Sequence, residues 1–384
     1  MGNTLITPNV IAMEALMQLE NNLVMGNLVH RAYKKEFVKI GSTVSIRKPV
    51  KFVASDGATR VNQNVSESTT NIVINKRKHV SWEFSSEELT LDIKDYSERY
   101  IKPAMIALDN IVDSDLCDLY KDVPACVGTA ASTPSSFATS IQLVGTWMDD
   151  NAVPRDNRKL VLDPDGYWTM LAGQTALAQT SGIVEGAYRN ARLGVIGGYE
   201  IFQDQNIKSH TKGTFSAGTI NGSSQTGTNI LINSTTGTFV VGDIITMAGC
   251  YNVNPISGVA LPGLKQFALT AAEAAAATDI HITPSIITSG AYKTCSASPT
   301  TGQTPTIIGS SVANLAFVKQ AFALVMVPLE MPDGAAFKAR ESRNGMSVRV
   351  IKSYDVDNDT DIIRLDIMYG VKTIYPELAV RLLG

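Results

Sequence analysis

Few side chains in this sequence have the types and spacing that catalysis requires. The chain has four histidines, which are His30, His79, His210 and His281. None has the i, i+4 partner of an HExxH zinc site, and the chain contains neither a GxSxG nucleophile elbow nor a Walker-type loop. Ser209 and His210, with Lys212 after them, could be imagined as a nucleophile and a base. Adjacent residues rarely face each other productively, so we interpret this segment as a polar loop.

Two other segments imitate binding motifs without completing them. The glycines from Gly194 to Gly198 do not follow the GxGxxG pattern, and a strand is predicted after them where a nucleotide site needs a helix. Acidic residues alternate from Asp355 to Asp361, as at the start of an EF-hand loop, but Thr360 takes the place of the required glycine. We interpret this segment as an acidic hairpin turn. The sequence therefore predicts no catalytic residue, no metal site and no cofactor.

The cysteines point to a structural role and a reducing compartment. The four are Cys117, Cys126, Cys250 and Cys295. They form no CxxC pair, which argues against a zinc site or a thioredoxin-like motif. We predict that they are small buried hydrophobic residues of a protein made in a reducing cytoplasm. The N-terminus has no signal-peptide pattern, and the apolar stretch over residues 10–29 contains too many polar residues to span a membrane.

The chain carries two blocks of opposite charge. Residues 29–80 contain eleven Lys and Arg against three acids, and residues 81–122 contain eleven acids against four bases. The basic block could bind phosphates, but it is not interleaved with stacking aromatics, and the acidic block nearly cancels it. Blocks of similar size suit heterologous self-association, in which the basic segment of one copy meets the acidic segment of the next. The predicted contact residues are Arg47, Lys48, Lys51, Lys76, Arg77 and Lys78 on one side, and Glu83, Glu87, Glu88, Asp92 and Asp95 on the other.

Composition limits the class of protein further. The 384 residues predict two or three domains, and the net charge of −3 with ordinary apolar content excludes a disordered chain. Charged residues make up 18% of the chain, below the usual level of about 25%. The shortfall lies in residues 214–309, where only five residues are charged and Gly, Ser and Thr separate short β-like runs at 229–232, 238–241 and 279–282. We predict a small all-β barrel or sandwich there, inserted into a host domain.

The rest of the chain predicts an α+β host. A helix is predicted over 8–33, and alternating strands over 44–53 and 71–84 predict a long basic hairpin. Residues 93–120 have the clearest helical period, on a face running through Ala104, Leu108 and Ile111. Helices at 137–149 and 164–178 alternate with strands at 158–162 and 199–203. A helix over 312–325 and alternating strands in the last forty residues complete the prediction.

Several segments resemble the tailed-phage major capsid proteins of the P22 coat type. The most specific are residues 314–329 (NLAFVKQAFALVMVPL) and 364–381 (RLDIMYGVKTIYPELAVR), within a block from 347 to 383. Residues 193–201 (LGVIGGYEI) and 242–249 (GDIITMAG) are similar to the same family. The resemblance covers nearly the whole chain.

The resemblance implies the HK97-like capsid fold, an α+β fold with an inserted small all-β domain. Its parts would be the N-terminal arm (1–40), the extended E-loop hairpin (41–84), the peripheral domain with its long spine helix (85–136), the axial domain and connection (137–213), the inserted β-barrel-like domain (214–309), the axial return (310–335), and the peripheral strands with the C-terminus (336–384).

The implied function is that of a virion shell protein, not an enzyme. It would assemble with itself into hexamers and pentamers of an icosahedral phage head around double-stranded DNA, bound non-specifically, and would be made in the host bacterial cytoplasm. A separate scaffolding protein and a portal protein at one vertex would be its other partners, with no membrane. Two alternatives stay open: a cellular shell protein on the same fold that encloses an enzyme, and an unrecognised hydrolase.

Overall fold

The computed structural model describes residues 8–31, 43–52, 54, 57–58, 60, 62, 67–85, 97–175, 191, 193–334, 337–356, 358 and 360–384. The helices are α1 (Pro8–Asn22), α2 (Met25–Leu28), α3 (Lys102–Cys117), α4 (Ile141–Asp150) and α5 (Pro164–Thr175). The first strands are β1 (Thr43–Arg47), β2 (Thr69–Val73), β3 (Lys76–Ser85), β4 (Cys126–Val127), β5 (Arg158–Leu162), β6 (Val195–Ile196), β7 (Tyr199–Gln203), β8 (Ser209–His210) and β9 (Gly227–Leu231). The later strands are β10 (Ile244–Val253), β11 (Ala260–Leu269), β12 (Asp279–Ile286), β13 (Thr306–Ile307), β14 (Ser311–Val318), β15 (Phe322–Met326), β16 (Phe337–Arg343), β17 (Met346–Asp355), β18 (Thr360–Thr373) and β19 (Ala379–Leu383).

The chain divides into two compact units. The first unit is formed by residues within Met1–Arg47, Thr69–Leu116 and Phe322–Lys372. The second is formed by residues within Lys48–Ser68, Cys117–Ala321 and Thr373–Gly384. Both units mix helices and strands, so the prediction of an α+β chain is confirmed.

The first unit is built on a five-stranded sheet. Strands β15, β18, β17 and β16 are neighbours in that order, and β3 also pairs with β18. One sheet face is apolar, with Val348, Val350, Leu365 and Ile367 fully buried. Helix α1 packs against β16 and β17 with its own apolar residues, among them Leu16 and Leu19. Burial of these side chains, at about 1.5–3 kcal/mol each, is the main force that holds the helix on the sheet.

Helix α3 is the central part of the predicted long helix. It follows a π-helical turn, Ser97–Ile101, and continues into a 3₁₀ turn, Asp118–Asp122. Pro103 lies beside the junction of the π-helical turn and α3, and it lacks the amide hydrogen that would bond back into that turn. The buried stripe within the unit is Met105, Leu108, Val112 and Leu116, so the face is rotated from the one predicted through Ile111. The predicted start, 93–96, lies outside the described residues.

The strand predicted over 71–84 is two strands with different partners. Strand β2 pairs antiparallel with β1, while β3 pairs antiparallel with β18 over ten residues. The β1–β2 hairpin therefore ends at Val73, and Lys76, Arg77 and Lys78 belong to the five-stranded sheet. Alternation continues through the break, since Ile72 and Ile74 are both buried. For this reason the alternation of apolar residues could not reveal that the pairing partner changes from β1 to β18.

The helix predicted over 312–325 is wrong. The segment forms β14, a 3₁₀ turn at Lys319–Ala321, and β15. Every residue from Ala313 to Val318 and from Phe322 to Met326 is buried. A strand buried on both faces has a continuous apolar run, which cannot be distinguished from a buried helix by periodicity. Strand β15 also joins the sheet of the first unit, although the resemblance assigned 310–335 to the axial domain.

The second unit contains two sheets with separate cores. A seven-stranded sheet has the order β4–β19–β14–β5–β7–β6, with β8 also paired to β14. Its core includes Val144, Met148, Leu160, Tyr199 and Leu382, and none of its members comes from residues 214–309. The bounds of β5 and β7 agree with the predicted strands. Strand β19 lies between β4 and β14 in this sheet. The domain bounds implied by the resemblance stay a prediction.

The low-charge stretch forms the other sheet of this unit, in the order β13–β10–β11–β12–β9. Its core runs from Phe215 to Cys295 and consists entirely of residues from the low-charge stretch. The predicted runs at 229–232 and 279–282 lie in β9 and β12, whereas the run at 238–241 contributes only an isolated bridge between Phe239 and Glu273. The assignment of 214–309 as an inserted domain stays a prediction.

Candidate assembly surfaces

The side of the first unit's sheet opposite the apolar face is basic. Register places Arg340, Arg349, Asp366 and His79 side by side across β16, β17, β18 and β3. Because side chains alternate along a strand, residues two positions away share this face. The cations on this face, which we call the basic face, are Lys338, Arg340, Arg349, Arg364 and Arg77. Its acids among the described residues are Asp366 and Glu83, so positive charge is in excess.

Asp366 organises the centre of the basic face. Its carboxylate is fully buried and accepts hydrogen bonds from Arg349 Nη2 at 2.5 Å and Arg364 Nε at 2.8 Å. Arg77 Nη2 lies 3.7 Å from the same carboxylate. Burial raises the pKa of Asp366, but the hydrogen bonds and charges of Arg349 and Arg364 outweigh it and hold that pKa below its ordinary value. The carboxylate therefore stays ionised and fixes the positions of guanidinium groups that cannot lose their charge.

The same cations hold a connecting segment in place. Arg340 Nη1 donates to the carbonyl of Leu329 at 3.1 Å, and Arg349 Nη1 donates to that of Glu330 at 2.5 Å. Lys338 Nζ donates to the carbonyl of Pro332 at 2.8 Å. Residues 329–332 are thereby tied to one edge of the basic face. Arg77 and Arg364 on the other strands keep 48% and 36% of their side chains exposed and remain accessible to another molecule.

Lys76 points to the opposite side and is already paired within its own chain. Its Nζ lies 2.9 Å from Asp115 Oδ1, and Tyr369 Oη donates to Asp115 Oδ2 at 2.6 Å. Burial and this hydrogen bond raise the pKa of Tyr369, so it remains a donor at neutral pH. The three groups join β3 and β18 to α3. Sequence reasoning grouped Lys76 with Arg77, but adjacent residues of a strand lie on opposite faces.

The other predicted contact residues are distributed over both units. Arg47 ends β1 and is exposed. Lys48 Nζ lies 5.2 Å from the ring centroid of Tyr375, and the Lys51 amide donates to Tyr292 Oη at 3.2 Å. Lys78 is half-buried and Glu83 is exposed. The remaining predicted acids, which are Glu87, Glu88, Asp92 and Asp95, lie outside the described residues.

Sequence reasoning missed four cations of the basic face: Lys338, Arg340, Arg349 and Arg364. Lys338 and Arg340 are two positions apart in β16, and Arg349 of β17 stands between the apolar residues Val348 and Val350. This alternation is visible in the sequence and indicates strands. It does not reveal that β3, more than 250 residues away in the chain, lies in the same sheet.

Sequence reasoning also missed a buried polar network in the second unit. Tyr120 Oη and His210 Nδ1 are 2.9 Å apart, and His210 Nε2 is 2.9 Å from Asp243 Oδ1. Arg381 donates to the carbonyls of Lys121, Val123 and Gly242 at 2.8–3.2 Å, with its guanidinium 5.1 Å from the Tyr120 ring centroid. Burial lowers the pKa of Arg381 to about 10, so it remains charged at neutral pH. Ser209 and His210 form a strand in this network, so the prediction of a polar loop there is wrong.

The described residues carry little else that resembles an active site. No group of three or more His, Cys, Asp and Glu among them could hold a metal ion. In the acidic turn, Asp361 pairs with Lys352 at 3.0 Å and Asn358 donates to Asp355, while Asp357 and Asp359 lie outside the described residues. All four cysteines are buried, as predicted, and none is in a disulfide. No described helix is both long enough and apolar enough to cross a membrane.

Comparison with known structures identifies the fold as that of phage capsid proteins. A chain from Mycobacterium phage Che8 superposes with a TM-score of 0.52 at 15% identity, over 94% of this chain and 90% of that one. A chain of the capsid of the cyanophage P-SCSP1u gives 0.50 at 12% identity, over 93% of each chain. The virus-like particle from Pyrococcus furiosus, at 0.37 and 10% identity over 97% of each chain, is too dissimilar to carry an argument. The fold is therefore the α+β, HK97-like fold of these capsid chains.

The sequence identifies the family within that fold. The family model described as "P22 coat protein - gene protein 5" matches residues 3–384, and the chain belongs to this family. No curated protein matches it by sequence. It is a structural protein of a bacteriophage capsid, as the resemblance of residues 314–329 and 364–381 implied, and its place is the virion shell.

Proposed function

We propose that this chain is the major capsid protein of a tailed phage, which assembles into the hexamers and pentamers of an icosahedral head around double-stranded DNA. The observation that carries the proposal is the family match over residues 3–384. In this proposal the protein is made in the host bacterial cytoplasm. It assembles on a separate scaffolding protein and meets a portal protein at one vertex.

Charge supports contact between copies. Among the described residues the basic face has five cations against two acids, while residues 83–95 of the same chain contain five acids that sequence reasoning assigned to contacts. The basic face and residues 47–51 would meet the acidic segment of a neighbouring copy. An exposed ion pair contributes only about 0–1 kcal/mol, so no single pair decides assembly. A shell repeats each ion pair in every subunit, so the summed contribution of the pairs to the stability of the shell is large.

The first experiment is negative-stain microscopy of the full chain, expressed alone and with a scaffolding protein. We expect closed icosahedral particles with the scaffold. A chain that stays monomeric under both conditions and turns over a substrate would contradict the proposal and support the hydrolase alternative. Purified particles that enclose an enzyme and no DNA would instead support the cellular-shell alternative.

The second experiment tests the charge array. Light scattering should show that assembly weakens as salt rises towards 1 M, where the screening length falls to about 3 Å. The variant Lys51→Gln/Arg77→Gln should assemble at a higher threshold concentration than wild type in low salt, with unchanged circular dichroism. The matched control is Lys212→Gln, an exposed lysine outside the proposed surfaces. Assembly that is indifferent to salt would contradict the charge array and leave the capsid function standing.

A further inference from the structure

Two buried cysteines lie on neighbouring segments of the low-charge sheet. Cys250 belongs to β10, and Cys295 lies opposite Asn252 of the same strand in an antiparallel bridge. The Ser296 amide donates to the Tyr251 carbonyl at 2.9 Å, and the Tyr251 amide donates to Ser296 Oγ at 3.0 Å, which fixes this register. Cys295 lies directly opposite Asn252, and Cys250 is two residues before Asn252 on the same strand. The two cysteines are therefore diagonal neighbours across the paired backbones.

The two side chains point to the same side. Cys250 and Cys295 are both fully buried in one apolar core, whereas Tyr251 between them in register is exposed. Diagonal neighbours have Cα atoms about 7–8 Å apart with their Cβ atoms closer, and a disulfide needs a Cα separation below about 7 Å. Strand β10 is irregular at this point, with Gly249 at φ +81° and a register shift between Thr246 and Tyr251. A bond between the two sulfurs therefore requires a small approach of the two segments, at a point where β10 is already irregular.

The surroundings make the two sulfurs unequal. Burial, and to a smaller extent the neighbouring Cys295, raise the pKa of the Cys250 thiol to about 11. Burial also raises the pKa of Cys295, but a hydrogen bond from Thr294 and the charge of Lys265 oppose that rise. Lys265 Nζ is held in place by a hydrogen bond to Asn252 Oδ1 at 3.0 Å. Both thiols are buried and mainly protonated at neutral pH, and because the thiolate is the reactive form, the contacts of Thr294 and Lys265 favour Cys295 over Cys250 as the sulfur that is oxidised.

We propose that Cys250 and Cys295 are a redox-sensitive pair that closes into an intrachain disulfide under a peroxide. The Cys295 thiol is oxidised by hydrogen peroxide to a sulfenic acid, and the peroxide is reduced to one molecule of water. The Cys250 sulfur then attacks the Cys295 sulfur, an S–S bond forms, and the sulfenic hydroxyl leaves with the Cys250 proton as a second water. Two thiols have lost two electrons, and one peroxide has been reduced to two waters.

The biological value of this pair rests on the proposed function. A capsid made in a reducing cytoplasm with open thiols would meet oxidants only after the virion leaves the cell. The disulfide would then link β10 to the segment around residue 295, in a region where few charged residues can form stabilising ion pairs. The chemistry itself can be tested on the full chain whether or not shells form.

The test is mass spectrometry of the full-length protein after hydrogen peroxide treatment. Excess peroxide is removed, and the chain is denatured and alkylated with iodoacetamide without reductant. We expect two of the four cysteines to escape alkylation and a mass lower by two hydrogens before alkylation. Trypsin cuts after Lys265 and Lys293, so the peptides that contain Cys250 and Cys295 should be recovered as one linked species that dithiothreitol separates. Cys117 and Cys126 are the internal controls and should both be alkylated.

The variants Cys250→Ala and Cys295→Ser should each remove the linked species, and Lys265→Met should slow its formation without preventing it. If a cysteine variant fails to fold, the wild-type result decides the question alone. The proposal is overturned if all four wild-type cysteines remain alkylated, or if the linked peptides involve Cys117 or Cys126. Accumulation of sulfinic acid on Cys295 with no linked species would overturn it too. None of these outcomes bears on whether the chain forms capsids.

Discussion

Replacement of Arg381 should destabilise the second unit more than any other single charge removal in it. Arg381 is 2% exposed and lies in the middle of β19, next to β4 and β14. Its guanidinium donates to the carbonyls of Lys121, Val123 and Gly242, and its backbone amide donates to Ala125. One side chain thus joins the turn after α3, the last strand and the low-charge sheet.

The cost can be estimated from these contacts. Arg381→Met keeps most of the apolar stem and removes all donors, which leaves the three carbonyl oxygens without a charged partner. A buried polar group without a partner costs about 1–3 kcal/mol, and removal of one member of a buried charged network typically costs about 3–5 kcal/mol. We therefore expect a loss of about 3–5 kcal/mol in the free energy of unfolding, which is a large part of the usual 5–15 kcal/mol. Arg381→Lys should fall between wild type and Arg381→Met, because an ammonium cannot reach three separated carbonyls as a planar fork can.

Urea unfolding of the full chain, followed by tryptophan fluorescence, measures this difference. Two of the three tryptophans, Trp147 and Trp168, belong to the second unit and report on it. The matched control is Arg155→Met, because the Arg155 guanidinium likewise donates a hydrogen bond within this unit, to Asp149 at 2.7 Å, but its side chain is 80% exposed. The control should lose less than about 1 kcal/mol. If Arg381→Met lies within about 1 kcal/mol of wild type, or if the control is equally destabilised, the network does not support the unit as reasoned here.

Three further outcomes are expected. Truncation after Gly370 removes β19 and several buried aliphatics at about 2–5 kcal/mol each, so it should abolish assembly in microscopy, whereas Asp357→Asn/Asp359→Asn should assemble normally. Assembly lost in the double variant, or shells dissolved by a calcium chelator, would show that the acidic turn is a metal site. Burial lowers the pKa of Lys265 from 10.5 to about 8, so its charge opposes folding below pH 8. Stability should rise between pH 8 and pH 10 by up to about 3 kcal/mol, and a Lys265→Met variant that keeps the full rise would disprove this origin. Residues 214–309, whose core is their own, should fold when expressed alone; a random-coil circular dichroism spectrum would contradict this.

Local pattern predicted the elements that are amphipathic or short and bounded by turns. Strands β5 and β7 begin and end as predicted, and α3 lies where the helical period is clearest. Prediction failed at β14 and β15, because a strand buried on both faces has no alternation to distinguish it from a buried helix. The buried network around Arg381 had no sequence signal at all. Its members come from positions 120, 210, 243 and 381, and nothing in their spacing relates them.

The sequence by itself determined the family, the class of function and the two charge blocks, because these depend on residue identity and on order along the chain. Tertiary structure decided what those charges contact. It placed Lys76 against Asp115 and Arg77 beside Asp366, although the two cations are adjacent in sequence, since neighbouring residues of a strand face opposite sides. It also made one basic face from β3, β16, β17 and β18. Strand pairing between residues so far apart is chosen by the burial of whole faces, a property of the folded chain that no local window of sequence contains.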